Sequence, residues 1–104
     1  MVVLYGLVLV VKDGAVLLLE RTHTSFGNGL YGLVGGKAES REPALQAAVR
    51  ELYEEVGLVL PLDRFIPVHT FCRKGENDDI VAVCFRVDLT VENQPYNKEP
   101  QKHA

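Results

Sequence analysis

Three carboxylates, Glu51, Glu54 and Glu55, fall within five residues of one another in the stretch GGKAESREPALQAAVRELYEEVGL, residues 35–58. On an α-helix, at about 100° per residue, Glu54 and Glu55 project about 60° to one side and about 40° to the other of Glu51. Their oxygens are hard acceptors, the kind that magnesium and calcium take as ligands. Left to themselves they repel. Glu51 with Glu55 is a like-charged i,i+4 pair and Glu51 with Glu54 an i,i+3 pair, each mildly destabilising. They also stand near the end of the helix, where the macrodipole favours cations. Arg50 is placed to relieve one of them, Glu54 at i+4. A hard divalent cation would turn the repulsion into affinity; a solvated acidic face on a surface helix is the ordinary alternative for such a cluster.

One helix must carry these groups. Leu45, Ala48, Val49, Leu52 and Val56 cluster on a neighbouring face centred about 120° away, the apolar stripe of a helix resting on a core. Pro43 suits the first helical position. Glu42, just before it, puts a carboxylate where the dipole and the orphan amides of the first turn favour one. Gly57 is of the type that commonly ends a helix. Ahead of the helix, Gly35 and Gly36 allow a tight turn and a close backbone approach to a ligand. Lys37, next in the chain, could bring a point charge to a phosphate, with plain solvent exposure as the alternative. Phe26 and Tyr31 offer faces on which a nucleobase could stack, with packing beneath a loop as the alternative.

The spacing G-x5-E-x7-R-E-U-x-E-E-x-G-U, with U aliphatic, is filled here by Gly36, Glu42, Arg50, Glu51, Leu52, Glu54, Glu55, Gly57 and Leu58. At each of these positions the chain resembles the signature of the Nudix hydrolases. So many fixed positions are far more specific than a lone glycine motif, and they cover about a quarter of the chain. The resemblance implies an α/β (α+β) fold, a mixed β-sheet sandwiched by helices. It implies Mg2+, with Mn2+ as a substitute, held by Glu51, Glu54, Glu55 and the Gly36 carbonyl. It gives Arg50 the task of holding a glutamate in place, and Glu42 that of stabilising the loop–helix junction. The segment Asn97-Lys98-Glu99-Pro100 is similar to a later loop that often carries a further ligand or base. Glu99 is therefore the candidate there, with Glu76, Asp78 and Asp79 behind it. The implied catalytic set is Glu51, Glu54, Glu55, Arg50 and Glu99; the substrate-binding set is Lys37, Phe26, Tyr31 and Gly35.

Composition sets the frame. The 104 residues make one domain at most, with a single core. A hydrophobic share of 47% and a charged share of 24% are ordinary for a globular protein. A net charge of −3 gives no basic footprint for a nucleic-acid polymer and no polybasic patch for a membrane. The start of the chain lacks the charged region and cleavage site of a signal peptide, and the apolar run 2–11 is too short to span a bilayer. Cys72 and Cys84 lie in apolar, strand-like surroundings without metal-site spacing, so both are expected as buried, reduced thiols in a cytoplasmic protein. His23, His69 and His103 are too scattered for a histidine metal site.

Residues 2–11 and 15–20 are β-rich runs joined through Asp13-Gly14, a strong hairpin signal. The first is apolar on both faces, as in a central strand covered on both sides. Residues 21–30 form a polar, glycine-containing loop beside the site, a candidate substrate rim, and 31–34 a short strand leading into the glycines. After the helix, 65–73 and 80–90 are expected as a hairpin, the second strand more exposed towards its end. The tail, 91–104, is expected as a loop. Nudix domains usually continue with another strand and a final helix, which this chain lacks. It is thus expected to be a single Nudix domain over 1–104, its Nudix box at 36–58, cut short at its C-terminus. A homodimer is one way to cover the sheet left open.

Hydrolysis of a diphosphate linkage needs a water oriented or deprotonated beside phosphorus, and charge neutralised on the non-bridging oxygens. The stretch from Phe26 to Lys37 is similar to that of mutator-type pyrophosphatases. Gly32 stands where one subgroup has a base-reading asparagine, and Val34 replaces a common proline, so base preference does not carry over. The proline that marks many ADP-ribose hydrolases would fall near Arg73, and the tyrosine of diadenosine-polyphosphate hydrolases near Gly75; neither is present. A (deoxy)nucleoside triphosphate cleaved to monophosphate and pyrophosphate is the first expectation. A non-catalytic module holding a nucleotide or a partner, or an inactive fragment of the hydrolase, is the alternative.

Overall fold

The computed structural model describes residues 1–21, 31–90 and 102–103, the side chains of Glu20, Arg21, Tyr31, Lys102 and His103 excepted. Valine- and leucine-rich β1 (Val2–Lys12) organises the main sheet. Along one edge it pairs in parallel with β7 (Asp79–Asp88), from Val2 opposite Asp79 to Val11 opposite Asp88. Its other edge is shared by two antiparallel partners, β2 (Ala15–Val16) and β5 (Val34–Lys37). Beyond β7 lies β6 (Ile66–Lys74), antiparallel to it, at the edge of this mixed five-stranded sheet. The turn between β1 and β2 has Asp13 at φ 53° and Gly14 at φ 77°. Positive φ at both positions is the two-residue hairpin turn that an Asp-Gly pair favours.

The sheet departs from the sequence expectation in four places. β1, expected to be covered on both faces, fully buries only one: Gly6, Val8 and Val10 are buried, whereas Tyr5, Leu7 and Leu9 between them are half-buried. The apolar run 15–20 is not one strand. It breaks at Leu17 and Leu18, after which β3 (Leu19–Arg21) joins β4 (Tyr31–Gly32) and β8 (Lys102–His103) in a separate three-stranded sheet. A continuous apolar run has no period to mark where a strand changes sheets. Residues 31–34 divide between β4 and β5, and both glycines lie inside β5 rather than in a turn beyond it. The tail, expected as loop throughout, contributes β8, which pairs with β3.

Helix α1 (Ala44–Val56) follows β5 and lies against β1 and β5. Pro43 is its N-cap, in extended conformation (φ −64°, ψ 156°), one position before the expected one. Gly57 stops the helix in the left-handed conformation (φ 74°), its N–H donating to the Tyr53 carbonyl at 2.9 Å. The helix buries Ala48, Leu52 and Val56 against Val8, Val10, Val34, Phe85 and Val87. Leu45 and Val49, expected in the same stripe, are only half-buried. Leu52 is fully buried, which stabilises the helix–sheet contact by roughly 1.5–3 kcal/mol.

A 3-10 turn at Leu62–Arg64 leads into β6, whose nine residues are all exposed. A bulge between Pro67 and His69 interrupts this edge, a common way to blunt it against unwanted pairing. Edge position explains a further correction: Cys72, on β6, is exposed, whereas Cys84, on β7, is buried as expected. His69 stacks on Phe71 at 5.7 Å on the same strand. Among the described residues no helix is long and apolar enough to cross a membrane.

Candidate active site

The floor of the site is made of glycine. Gly36 stands opposite Gly6 in the β5–β1 register, and Gly35 opposite Leu7. A Cβ on Gly36 would overlap Glu51 Oε2 and lie 2.8 Å from Glu51 Cδ. Gly35 has φ 140°, a conformation L side chains rarely adopt, and a Cβ there would overlap the Gly6 carbonyl. The missing side chains let the carboxylates of α1 lie directly on the strand. Glu55 uses that room completely: it is 0% exposed, and its Oε1 accepts a hydrogen bond from the Gly35 N–H at 3.1 Å. The sequence placed Glu55 on an outward carboxylate face; the glycine floor draws it inward instead. Buried carboxylates persist in proteins where they are hydrogen-bonded, paired or coordinated to metal.

Arg50 ties the helix to the loop before it. Its Nε donates to Glu42 Oε2 at 3.0 Å and its Nη2 to Glu42 Oε1 at 2.9 Å, a two-pronged pairing. Nη2 also donates to the Lys37 carbonyl at 3.2 Å. Nη1 faces the other way, donating to Glu51 Oε2 at 3.3 Å and to Glu54 Oε1 and Oε2 at 3.3 and 3.4 Å. Charge-assisted bonds of this kind are strong near 2.7–2.9 Å, so the guanidinium grips Glu42 firmly and Glu51 and Glu54 loosely. The hydrogen bond from Arg50 holds the Glu42 carboxyl below the ordinary carboxylate range, helped by the Glu39 N–H, against a small opposing cost of burial. Glu42 in turn raises the Arg50 pKa. Glu39 also faces Arg50, at 4.0 Å. One guanidinium among four carboxylates leaves the cluster strongly negative.

A turn places Glu42 there. The Glu42 N–H donates to the Glu39 carbonyl at 3.0 Å, with Arg41 at φ 64°, a left-handed conformation uncommon outside glycine. Two expectations change as a result. The Glu42 side chain does not cap the helix; it spends its oxygens on Arg50 and Glu39. Arg50 relieves two of the three helix carboxylates rather than one, Glu51 with Glu54, and holds Glu42 besides.

Of the expected residues, Gly35, Gly36, Arg50, Glu51, Glu54 and Glu55 are thus brought together where α1 crosses β5. Lys37 follows them, exposed. Phe26 and Glu99, with the side chain of Tyr31, lie outside the described residues. Glu76, Asp78 and Asp79 sit at the turn of the β6–β7 hairpin, two strands away from β5. Among the described residues, no group of three His, Cys, Asp or Glu side chains is set closely enough to hold a metal ion as it stands. The contacts account for that: Glu51 and Glu54 lean on Arg50, while Glu55 is turned to Gly35. The donor chemistry still fits a hard cation, since these are oxygen acceptors on one helix over a bare strand. Sequence reasoning missed Gly6 and the Lys37 carbonyl. A lone glycine inside a β-branched run was the available signal for the first.

Comparison with known proteins accords with this geometry. The NUDIX domain family model matches residues 3–104. A CTP pyrophosphohydrolase of Escherichia coli is 40% identical over 58 residues, 56% of this chain and 43% of that protein. An ADP-ribose pyrophosphatase of Methanocaldococcus jannaschii is 30% identical over 78 residues, 75% of this chain and 46% of that protein. The chain thus spans about half the length of these curated relatives. A solved structure of a MutT NUDIX hydrolase from Burkholderia pseudomallei superposes with a TM-score of 0.82 at 27% identity, covering all of this chain and 79% of that one. With a family match running over nearly its whole length, and the signature residues meeting over one glycine floor, the chain belongs to the Nudix family.

Proposed function

We propose that this chain carries the catalytic helix of a pyrophosphohydrolase that cleaves the diphosphate linkage of a nucleotide derivative. The single observation behind this is the carboxylate cluster at the α1–β5 crossing: Glu55 buried on Gly35, Glu51 seated on Gly36, and one arginine shared among Glu42, Glu51 and Glu54. Magnesium is the fitting cation, with Glu51, Glu54, Glu55 and the Gly36 carbonyl as its holders. Bound there, it would supply charge neutralisation on the diphosphate and a more acidic water. The chain's own residues do the rest. Arg50 and Glu42 fix the loop against the helix, and the weak Nη1 contacts leave Glu51 and Glu54 able to exchange a guanidinium hydrogen bond for a cation. Lys37, exposed just past the glycines, offers a positive charge to phosphate. Phe26 and Tyr31 are the proposed base contacts and Glu99 the proposed additional carboxylate.

The proposed substrate is a (deoxy)nucleoside triphosphate, cleaved to the monophosphate and pyrophosphate. Its support is the absence of the marks of other subgroups and the likeness to a CTP pyrophosphohydrolase; the ADP-ribose pyrophosphatase relative makes ADP-ribose the first competitor. The reading treats the chain as one cytoplasmic Nudix domain whose open sheet edge a second copy would cover. The test is a panel of nucleoside triphosphates, oxidised nucleotides, ADP-ribose and diadenosine polyphosphates with Mg2+, followed by release of pyrophosphate or phosphate. It is run on this chain and on a C-terminally extended form. Turnover of a triphosphate that disappears in Glu54→Gln is expected. A panel without turnover in either form, or turnover unchanged in Glu54→Gln, refutes the assignment.

A further inference from the structure

Gly6 interrupts β1 between Tyr5 and Leu7, far in sequence from the signature helix. It lies where that helix meets the sheet backbone to backbone. A Cβ there would overlap the Ala44 carbonyl oxygen and come within 2.8 Å of the Ala48 amide nitrogen. Both are backbone atoms, which cannot swing aside as a side chain would. The residues meeting this strip on α1 are small as well, Ala44 and Ala48, the latter fully buried. Ala44, Ala48, Glu51 and Glu55 follow one another at i, i+4, i+7 and i+11, so they share one helix face. Its first half rests on Gly6, and its second half carries Glu51 on Gly36 and Glu55 on Gly35.

We propose that Gly6 is a positioning residue for the carboxylate helix: its bare backbone sets the height of α1 above the sheet, and thereby where Glu51 and Glu55 stand. The inference rests on the reading that these carboxylates hold a divalent cation. The displacement a methyl group would force follows from the contacts. Ordinary van der Waals separation for a Cβ begins at 3.4 Å, so relief at the Ala48 nitrogen alone moves the helix by 3.4 minus 2.8, or 0.6 Å, and the Ala44 oxygen demands more. A helix transmits such a shift along its length. The 3.1 Å bond from the Gly35 N–H to Glu55 would then lie beyond hydrogen-bond range. A misplacement of about 1 Å remote from the chemistry costs on the order of 100-fold in rate.

The experiment compares Gly6→Ala with Val8→Ala. Val8 is fully buried on the same strand, and trimming it leaves a cavity without lifting the helix. Thermal melts grade the folding defect of each, and Mn2+ affinity is measured by electron paramagnetic resonance without substrate. Gly6→Ala is expected to weaken Mn2+ binding by about tenfold or more and to lower kcat by on the order of 100-fold with a smaller change in KM. Val8→Ala, though destabilised, keeps Mn2+ affinity within about twofold. Ala48→Ser, which adds one atom to the fully buried residue whose amide faces Gly6, is expected to weaken Mn2+ binding in the same direction by less, and it answers the question if Gly6→Ala does not fold. Wild-type affinity in Gly6→Ala, or in Ala48→Ser where that variant stands in, overturns the positioning role alone. So does a loss in Val8→Ala as large as that in Gly6→Ala. Failure of the wild-type chain, and of its extended form, to bind Mn2+ overturns the proposed function and this inference with it.

Discussion

Removing the guanidinium while keeping its aliphatic bulk, as in Arg50→Met, separates what Arg50 does for the fold from what it does for the site. Its two short bonds to Glu42 join side chains that are 24% and 13% exposed. Breaking a fully buried ion pair costs about 3–5 kcal/mol, and an exposed pair contributes about 0–1 kcal/mol. This pair lies between those limits, so we expect a loss of about 2 kcal/mol in urea titrations at neutral pH with chelator present. In a domain of this size that corresponds to a fall in Tm of roughly 8–16 °C. The looser contacts predict a contrast between two conservative variants. Glu42→Gln, which loses the charge facing the short bonds, is expected to cost about 1 kcal/mol. Glu54→Gln, which touches Arg50 only at 3.3 and 3.4 Å and is 45% exposed, is expected to cost less than about 0.5 kcal/mol. A double-mutant cycle of Arg50→Met with Glu42→Gln should show a coupling of about 1–2 kcal/mol. Additivity in that cycle, or equal costs for Glu42→Gln and Glu54→Gln, would refute the division of Arg50 into a firm grip and a loose one.

Three further outcomes follow from single contacts. Arg50 holds the folded-state Glu42 carboxyl below its ordinary 4.5. The stability this pair adds is therefore complete above that value and is lost as pH falls through the depressed one. Urea midpoints taken from about pH 7 to about pH 3 should show the wild type converging on Glu42→Gln, and a constant gap would contradict the linkage. Gly57→Ala places a Cβ in the left-handed conformation (φ 74°) that ends α1, and should lower stability by roughly 1–2 kcal/mol, read as a shift in urea midpoint at unchanged slope. Burial raises the Cys84 thiol pKa, while Cys72 is exposed on an edge strand. Iodoacetamide is thus expected to label Cys72 in the native protein and Cys84 only after unfolding, as peptide mass mapping will show.

How far the sequence alone reaches depends on whether a feature is periodic or arises from packing. The hairpin at Asp13-Gly14, the β6–β7 pair and the helix Ala44–Val56 with its stop at Gly57 were legible, because alternation, turn residues and helix stops are local. So were the carboxylates at i, i+3 and i+4. Three other features were not. The break at Leu17 and Leu18 falls in an apolar run without a period, and the new partners of β3 come from the remote β4 and β8. The exposure of Cys72 follows from β6 being an edge, which is a property of strand order rather than of composition. The grip of Arg50 on Glu42, eight residues away in the chain, depends on a turn that puts Arg41 in a left-handed conformation.

Glu55 shows most clearly why the signature has the form it does. A hydrophobic periodicity treats glutamate as outward, yet Glu55 is as buried as Leu52. The difference is made not by the helix but by what it rests on. Had Gly35 or Gly36 carried a side chain, that space would be filled with carbon, and the carboxylates would be driven to the rim. The paired glycines and the glutamates fifteen to twenty residues later are therefore one device: absent side chains on the strand make room for acidic ones on the helix. That device works only if the helix sits low, and the height is set at Gly6, where backbone meets backbone. A change at Gly6 should thus disturb the same carboxylates as a change at Gly36, by different routes. Gly36→Ala displaces the flexible end of one side chain, Glu51, and is expected to keep the fold while reducing Mn2+ affinity. Gly6→Ala moves the helix itself. Both stability and metal affinity should then fall at Gly6, but affinity alone at Gly36, and parallel losses at the two positions would show that the glycines serve only to pack the sheet.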